Sequence, residues 1–438
     1  MNGRLLPIWT ARRSQLIYSI IAQKARREFS RAMRFGEDGK PPLLPPPGEA
    51  RSRLLYIHIP FCEKLCPYCS FNRISFAEEL CRDYFRALRK EILLYRKRGY
   101  DFSGIYIGGG TPTILIDELV QTVALARESF AIRELSVETN PNHLDEEHLM
   151  GLERAGVDRL SVGVQSFDNS LLRKMDRYEK YGSGEAVADR LRGAIGRFGT
   201  LNADMIFNFP SQTPAMLDRD LDVLAGMSID QITWYPLMVS DSTRAKVTET
   251  LGRVDGRQEE LFYHRIVERL VPAYDFSSAW CFSRKQAMID EYIVDYDEYA
   301  GLGCGSIGYL SGVCYANTFD VHSYIAQAGR GELPIAAARA FSVRDRIRYD
   351  FLMKLFGTRL NTAELRRKYG GAFLRCIWPD LLAFGLAGAL SWRAPDIVLT
   401  KTGRYAWVVL MREFFTAVNN FRDYCRRESE CTKGTIGV

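Results

Sequence analysis

The stretch from Leu54 to Arg73, LLYIHIPFCEKLCPYCSFNR, constrains this chain more than any other part of its sequence. It opens as an apolar segment typical of a buried strand and breaks at a proline. The loop that follows carries Cys62, Cys66 and Cys69 in the spacing CxxxCxxC. Three thiolates are one fewer than a closed tetrahedral zinc site needs, and one fewer than a cubane iron–sulfur cluster normally takes. The spacing therefore indicates a metal site with one open position, with a structural zinc site or three buried thiols as simpler alternatives.

The composition is that of a soluble globular protein with room for two or three domains. The chain has 438 residues, of which 47% are apolar and 26% charged, and its net charge is +6. No run of about 18 apolar residues is present, so no transmembrane helix is predicted. The N-terminus lacks the order of a signal peptide, and the cysteines outside the loop are scattered. We therefore expect a cytoplasmic protein with reduced thiols.

From residue 54 onward the pattern alternates strand and helix, which is typical of βα units and a parallel sheet. The predicted strands cover 54–59, 103–107, 133–139, 159–163, 202–207 and 231–235. The predicted helices cover 78–98, 115–129, 145–155, 184–197 and 214–226. Six such units are too few for a closed eight-unit barrel. We therefore predict an α/β fold built on a partial (β/α)6 barrel, with functional residues at the carboxyl ends of its strands.

The same pattern divides the chain into segments. Residues 51–240 form the partial barrel, and residues 241–335 extend it with a glycine-rich turn region, AGLGCGSIGYLSG. Residues 336–428 are mainly helical and contain a hairpin near 390–399, which predicts a C-terminal winged-helix-like domain. Residues 429–438 are polar and predict a disordered tail.

The N-terminal segment, residues 1–50, holds a candidate amphipathic helix and a proline-rich linker. Within residues 11–34, apolar side chains recur with a helical period, whereas basic side chains gather toward another side. A basic amphipathic helix can lie on an anionic membrane surface, which would make the protein peripheral to the inner face of the membrane. The alternative is that the helix packs on its own barrel and keeps its basic side in solvent. Residues 40–49, with PPLLPPP, predict a stiff linker.

Glycine and polar residues stand at the predicted strand ends. GGGTPT, residues 108–113, follows the second strand, and its glycines allow backbone N–H groups to approach a ligand closely. It lacks the lysine of a phosphate-binding loop, and a tight turn is the simpler interpretation. Glu138 ends the third strand, Gln165 follows the fourth, and Asp204 lies on the fifth. A carboxylate at such a strand end suits an amino group or ribose hydroxyls, or else a helix cap or surface ion pair.

Together these motifs resemble the radical S-adenosylmethionine (SAM) enzymes. In that family three cysteines hold a [4Fe-4S] cluster whose open iron chelates SAM, and cleavage of SAM releases a 5′-deoxyadenosyl radical. The resemblance identifies Cys62, Cys66 and Cys69 as the catalytic cluster ligands. Nearly the whole chain resembles the family of oxygen-independent coproporphyrinogen III dehydrogenase, from YIHIPFC through GGGTPT, ETNP and VGVQSF to GLGCGSIG, VCYAN and TKTGR.

Members of that family bind two SAM molecules, and the match assigns residues of this chain to each. Around the first SAM it implies Tyr56, Gly109, Glu138, Met238 and Ile307, of which the last two rest on less distinctive text. Around the second it implies Tyr68, Gly110, Thr111, Gln165, Arg177 and Asp204. The resemblance also implies a small-molecule substrate, an electron donor such as flavodoxin or ferredoxin, low-oxygen conditions and no nucleic-acid partner.

The chain departs from the family pattern at three places. The dehydrogenase proper carries a further cysteine where this chain has Phe71. The related haem chaperones carry HNxxYW where this chain reads DEYIVDYDEY, and NFP, residues 208–210, replaces the usual GLP. These departures indicate a paralogue of both proteins. The chain also resembles the class C radical SAM methyltransferases, and its segment CPYCSFNR is closest to the menaquinone methyltransferases among them.

Three functions follow from these resemblances. The first is a two-SAM methyltransferase that adds a methyl group to an sp² ring carbon, such as that of menaquinone. The second is oxidative decarboxylation of propionates in coproporphyrinogen III, and the third is haem chaperoning without catalysis. A porphyrinogen with four carboxylates would need arginines or lysines at the barrel mouth, whereas a prenylated quinone would need an apolar channel.

Overall fold

The computed structural model describes residues 6–33, 35, 44–48 and 52–434, and the side chains of residues 18–427 within those ranges. Parts of the predicted N-terminal segment, including half of the proline-rich linker, lie outside the described residues. The end of the predicted tail, residues 435–438, also lies outside them.

The strands of the described chain are numbered in sequence order. They are β1 (Arg53–Ile59), β2 (Phe61–Cys62), β3 (Ile74–Ser75), β4 (Gly104–Gly109), β5 (Glu134–Thr139), β6 (Arg159–Gln165), β7 (Thr200–Phe207), β8 (Gln231–Pro236), β9 (Asp275–Phe276), β10 (Cys281–Ser283), β11 (Glu298–Leu302), β12 (Ile307–Leu310), β13 (Val313–Asn317), β14 (Ile335–Ala340), β15 (Arg359–Asn361), β16 (Leu390–Arg393) and β17 (Asp396–Leu399).

The helices are numbered in the same way, and several begin at a polar residue that caps them, such as Asp145, Asp168 and Ser183. They are α1 (Leu6–Ala32), α2 (Glu78–Lys97), α3 (Ile116–Ser129), α4 (Glu146–Arg154), α5 (Asn169–Lys174), α6 (Tyr178–Tyr181), α7 (Gly184–Ala194), α8 (Pro214–Ala225), α9 (Asp241–Thr250), α10 (Gly256–Leu270), α11 (Val321–Gly329), α12 (Val343–Phe356), α13 (Thr362–Tyr369), α14 (Ala372–Leu386) and α15 (Lys401–Gly434).

Six parallel strands, β1 and β4 to β8, form the centre of the large sheet in the order in which they occur in the chain. Helices connect them and cover one face, and the strands are almost wholly buried. This arrangement confirms the predicted α/β fold with a partial (β/α)6 barrel. The carboxyl ends of the six strands meet at one edge of the sheet, and the candidate site lies there.

Further strands extend the sheet beyond the barrel on both sides. β11 pairs parallel with β1, and β12, β13 and β14 continue the sheet in antiparallel fashion. On the other side, β10 and β9 follow β8. The stretch expected to be a glycine-rich turn region, 300–312, therefore consists largely of strand: it contains the end of β11 and all of β12. Its glycines allow neighbouring backbones to approach closely, which sequence periodicity does not reveal.

The C-terminal residues form a helical unit with a small sheet, as the winged-helix-like prediction requires. The predicted hairpin consists of β16 and β17, and β15 pairs with β17 to complete a three-stranded sheet. Its core includes Trp407, Phe351 and Ile377, which are buried. α15 then runs on to Gly434, so helix extends into the segment that was expected to be a disordered tail.

The N-terminal helix packs on α15 of the C-terminal unit, whereas the alternative to the membrane interpretation placed it on the barrel. Tyr18 contacts Tyr405 edge to face, with ring centroids 4.8 Å apart, and Phe29 contacts Phe414 in the same way at 5.4 Å. A membrane contact of this helix is therefore not required to cover its apolar side. Among the described helices, none is both long enough and apolar enough to span a bilayer.

Candidate active site

The cysteine loop is closed at its base by a short pair of parallel strands. β2 and β3 pair through Phe61 with Ile74, and the N–H of Ile74 donates to the carbonyl of Pro60 at 2.7 Å. The guanidinium of Arg73 donates hydrogen bonds to two carbonyls of the loop, those of Cys66 at 2.5 Å and Cys69 at 2.9 Å. The loop is therefore a structured cradle rather than a mobile connection.

The three thiols of this loop line one cavity, and none of them forms a disulfide. Burial, followed by the neighbouring Cys69, raises the pKa of the Cys62 thiol to about 11. Arg177 places Nη1 3.8 Å from the sulfur of Cys66, and Lys180 lies nearby with a 3.4 Å contact to Glu63. These cations would offset the charge of thiolates once a metal displaces their protons.

The glycine loop after β4 lies directly against the cysteine loop. The N–H of Gly110 donates to the carbonyl of Ile59 at 2.7 Å, and that of Thr111 to the carbonyl of Phe61 at 2.8 Å. A Cβ atom on Gly110 would stand 2.8 Å from the sulfur of Cys62, so a side chain there would displace the thiol. This contact explains why glycine is needed at Gly110.

Acidic side chains form the floor of the site. Glu138 accepts hydrogen bonds from the hydroxyl of Tyr106 at 2.7 Å and from the N–H of Gly109 at 3.0 Å. Burial, and then the neighbouring Asp290, raise the pKa of Glu138 to about 7. The same two causes raise the pKa of Asp204 well above its usual range. Ligands with cationic groups would stabilise the ionised form of both carboxylates.

Asp290 joins this floor from a loop after β10, although the sequence did not single it out. Its carboxylate accepts hydrogen bonds from Arg159 at 2.9 Å, Tyr106 at 2.5 Å and Tyr235 at 3.0 Å. Burial opposes ionisation of Asp290, but the Arg159 guanidinium outweighs it and holds the pKa of Asp290 below its usual range. The buried pair links β6 to the segment that corresponds to HNxxYW in the haem chaperones.

Gln165 and Arg177 occupy the wall next to the cysteine loop. Gln165 ends β6 with a left-handed backbone, φ 75°, at a bulge that shifts the register with β7. The turn behind it is held by Asp220, which accepts hydrogen bonds from the hydroxyl of Ser166 at 2.8 Å and the N–H of Phe167 at 2.7 Å. Arg177 also donates to the carbonyl of Gly163. The bulge thus aims a polar side chain at the cavity.

Two tyrosines assigned to the SAM sites are held by different means. Tyr68 packs edge to face on Phe209, with centroids 5.5 Å apart. Tyr56 contacts His58, whose Nε2 lies 2.8 Å from the carbonyl of Asn72. Because a carbonyl only accepts and burial lowers the pKa of His58 to about 4, Nε2 carries the proton and Nδ1 accepts from Tyr56 at 2.8 Å. His58 therefore orients Tyr56.

Most of the residues predicted for the site surround one cavity of about 800 Å³. Thirteen of the fourteen residues predicted for the site line it: Cys62, Cys66, Cys69, Tyr56, Tyr68, Gly109, Gly110, Glu138, Gln165, Arg177, Asp204, Met238 and Ile307. Thr111, the remaining one, is fully buried behind the wall and accepts a hydrogen bond from Asn140 at 2.9 Å. The prediction therefore identified most of the inner half of the cavity.

The outer half is built by elements that carry no motif. α1 contributes Ile20, Ile21 and Phe29 to its lining, α14 contributes Phe384, and α15 contributes Leu410, Phe414 and Arg422. Apolar residues recur with a helical period in these segments, which indicates that each helix has a buried face. Nothing in the sequence indicates that the three faces meet over the barrel.

The residues present fit a cluster with three protein ligands and an open iron. The cysteine loop lines the cavity, and Gly110 leaves space beside Cys62 that a side chain would fill. Within the described part of the chain, no three His, Cys, Asp or Glu side chains converge as they would on a single metal ion. The acidic floor in turn fits the ammonium and sulfonium groups of SAM.

The chain is similar to a known domain family and to several known proteins. A family model described as the radical SAM superfamily matches residues 56–224. The haem chaperone HemW of Bacillus subtilis is 29% identical over 345 residues, covering 75% of this chain and 89% of the relative. The oxygen-independent coproporphyrinogen III oxidase of Paracoccus denitrificans is 28% identical over 400 residues, covering 84% and 87%.

A solved structure shares the fold. Coproporphyrinogen III oxidase from Escherichia coli, a radical SAM enzyme, superposes with a TM-score of 0.70 at 24% identity, covering 83% of this chain and 90% of that one. None of these relatives is named as a methyltransferase, so methyl transfer to menaquinone, the first prediction, gains no support. The second prediction, coproporphyrinogen oxidation, is favoured over it. Residues 56–224 of this chain therefore form a radical SAM domain, whose cofactors are a [4Fe-4S] cluster and SAM, and most of the chain is similar to haem chaperones and oxygen-independent coproporphyrinogen III oxidases.

Proposed function

We propose that this protein is a radical SAM enzyme that acts on a carboxylate-bearing tetrapyrrole, with oxidative decarboxylation of a propionate as the reaction. One observation carries the proposal: a single cavity of about 800 Å³ joins the cysteine loop and the acidic floor to an apolar outer chamber. The names of the relatives, which include coproporphyrinogen oxidases, support the same substrate class. A tetrapyrrole has apolar pyrrole rings and a rim of carboxylates, and such a cavity suits both.

The inner half of the cavity would hold SAM. When bound, the reduced cluster and SAM supply a 5′-deoxyadenosyl radical, which removes a hydrogen atom from carbon. Glu138 and Asp204 offer carboxylates to the cationic groups of SAM, and Arg177 offers a guanidinium to its carboxylate. Both predicted sets of SAM residues line this one cavity, apart from Thr111, which supports the proposal that two SAM molecules bind.

The outer half would hold the macrocycle. Phe29, Phe384, Leu410 and Phe414 offer apolar surface to the pyrrole rings, and the cations that four carboxylates need line the same cavity: Lys24, Arg339, Arg348 and Arg422. For the propionate, removal of a β-hydrogen atom, loss of carbon dioxide and transfer of one electron to an acceptor would leave a vinyl group. The reaction therefore needs an external one-electron acceptor, and cluster reduction needs a donor such as flavodoxin or ferredoxin.

The decisive experiment is anaerobic incubation of reconstituted enzyme with SAM, a reductant and coproporphyrinogen III, followed by mass spectrometry. We expect 5′-deoxyadenosine together with a porphyrinogen that has lost carbon dioxide and two hydrogens. A labelled methyl group in the product, formed together with S-adenosylhomocysteine, would instead support the methyltransferase hypothesis. That hypothesis was suggested by Phe71, which stands where the dehydrogenase has a cysteine. Tight haem binding without turnover would point to a chaperone.

A peripheral membrane contact at the cavity mouth is part of the proposal. Ile20 on α1 is 57% exposed, and Leu382 and Leu386 on α14 are 51% and 82% exposed. Ile20 and Lys24 line the mouth of the cavity, as does Ala383 next to Leu382. Apolar side chains beside a lysine suit the surface of an anionic phospholipid bilayer. Such a contact would place the cavity mouth at the membrane surface.

A further inference from the structure

Arg422 brings a positive charge from the last helix to the cysteine loop. It lies on α15, lines the cavity, and its guanidinium carbon stands 5.1 Å from the ring centroid of Phe71. Tyr56, Tyr292 and Cys69 line the same cavity and lie close enough to Arg422 to interact with it electrostatically. The guanidinium is therefore close to the place where a hydrogen atom would be removed.

No carboxylate among the described side chains forms an ion pair with Arg422. Its Nη1 donates to the side-chain oxygen of Asn419 at 3.0 Å, and its Nε is buried without a hydrogen-bond partner. Burial lowers the pKa of Arg422 below its usual range. Its helical neighbour Arg426, by contrast, is paired with Asp423.

The two other arginines of the outer cavity have partners. Arg348 pairs with Glu28 at 3.0 Å, and Arg339 donates to the carbonyls at the end of α1, including that of Ala32 at 2.8 Å. A guanidinium that is removed from water without a counter-charge destabilises a fold unless a ligand supplies that charge. Arginine is also the side chain whose planar donors match a carboxylate in bidentate fashion.

We propose that Arg422 binds a carboxylate of the substrate and so holds that side chain next to the cysteine loop. The inference rests on the proposed function, because it takes the carboxylate from a tetrapyrrole. Anchoring one propionate there would place its methylene carbons beside the cluster while the macrocycle occupies the apolar chamber. Arg422 would thus select substrates that carry an acid over apolar rings that lack one.

Two other roles are open to a cation at this position. It could balance the negative charge of the cluster, since Cys69 is near, or it could bind the carboxylate of SAM, since Tyr56 is near. The first role predicts loss of iron when the charge is removed, and the second predicts weaker SAM binding. Neither predicts discrimination between a porphyrin acid and its ester.

The test uses the full-length reconstituted holoenzyme and two stable probes, coproporphyrin III and its tetramethyl ester, with binding followed by absorbance and fluorescence. The variants are Arg422→Met, which keeps the length of the side chain, and Arg422→Lys. The control is Arg427→Met, on an exposed residue of the same helix. We expect Arg422→Met to weaken binding of the acid by about 30-fold or more, as loss of one partner of a buried charge pair does. We expect no comparable change with the ester, a partial effect from Arg422→Lys, and none from Arg427→Met.

Iron per chain and SAM affinity are measured on the same samples. Loss of iron or of SAM binding in Arg422→Met would overturn the inference, and so would equal losses of affinity for acid and ester. If the wild type binds both probes and Arg422→Met binds the acid as well as the wild type does, the anchor is wrong while the tetrapyrrole proposal stands. If the wild type binds neither probe, both proposals fail.

Discussion

The thiols of the cysteine loop differ from the other buried cysteines in their surroundings. Cys62, Cys66 and Cys69 line the cavity beside Arg73 and Arg177, whereas Cys81 is fully buried on α2, where neighbouring carboxylates add to the effect of burial on its thiol. Cations favour thiolates and therefore metal binding, and carboxylates oppose them. The distinction is a property of position, because the residue type is the same.

We predict that Ala at any one of Cys62, Cys66 and Cys69 prevents assembly of a normal [4Fe-4S] cluster and abolishes SAM cleavage. The measurement is iron and sulfide content, with 5′-deoxyadenosine formation under dithionite. Cys81→Ala is the matched control and should retain the cluster. A triple Cys→Ala variant that still bound four irons and cleaved SAM would refute the cluster assignment.

Gln165 and Asp204 are predicted to act on SAM rather than on the cluster. Removing hydrogen-bonding groups that face a charged ligand weakens binding by roughly tenfold each. Gln165→Ala and Asp204→Ala should therefore bind less of the second SAM, while some 5′-deoxyadenosine still forms without product. SAM stoichiometry by equilibrium dialysis checks this. Loss of cluster assembly in both variants would show that their role is structural.

Asp220 makes stability depend on pH. Burial raises the pKa of Asp220 from 3.8 in the unfolded chain to about 7 in the folded one. The unfolded chain therefore ionises it first, so stability falls as pH rises from about 4 to about 7 and levels off above. We predict that Asp220→Asn, which keeps the hydrogen bond from Phe167, flattens this fall.

The measurement is the urea midpoint at pH 5 and at pH 8. The difference between the two pH values should shrink in Asp220→Asn, by on the order of 1 kcal/mol for each unit of pKa shift removed. Asp222→Asn, on an exposed residue of the same helix, is the control and should leave the pH profile unchanged. The same profile in all three proteins would argue against a buried carboxylate that ionises near neutrality.

α1 is both a structural element and a wall of the cavity. Its rings pack on Tyr405 and Phe414, and Arg26 pairs with Glu413 at 2.7 Å. Residues that cover the core from one side also line the cavity from the other. A helix with two such roles cannot be removed without affecting both.

We therefore predict that deletion of residues 1–32 lowers the thermal midpoint and weakens porphyrin binding together. Turnover should fall on a detergent-dispersed substrate as well as on one supplied with phospholipid vesicles, because the wall is lost in both cases. Phe29→Ala keeps α1 in place but removes one ring from the cavity wall. We expect it to lower the free energy of unfolding by about 1–3 kcal/mol. A loss confined to the substrate supplied with vesicles would instead make α1 a membrane anchor.

The molecule as a whole exposes apolar side chains next to the cavity mouth. Leu386 is 82% exposed at the end of α14, whereas Leu261 is 69% exposed on α10 and does not line the cavity. We predict that the protein sediments with vesicles of anionic phospholipid and that Leu386→Glu reduces the bound fraction several-fold. Leu261→Glu is the control. Equal binding by both variants would remove the membrane contact from the proposal.

The sequence by itself determined the local features of this protein. A buried strand breaks at Pro60, and CxxxCxxC and the glycine loop follow strands whose order could be read from alternating patterns. Because carboxyl ends of parallel strands share one edge, the predicted residues had to converge, and thirteen of fourteen line one cavity. Strand periodicity and motif spacing are short-range, so they report such features well.

Only the tertiary structure decided what closes over that edge. Asp290 reaches the acidic floor from 131 positions beyond Arg159, and Arg422 approaches Phe71 from the far end of the chain. α1 shows an amphipathic pattern that a membrane would satisfy as well as α15 does. The pattern indicates that α1 buries an apolar face. Which surface covers that face is decided by packing between segments that are distant in sequence. For that reason the convergence of the cysteine loop and the strand ends could be predicted from the residues, whereas the apolar outer half of the cavity could not.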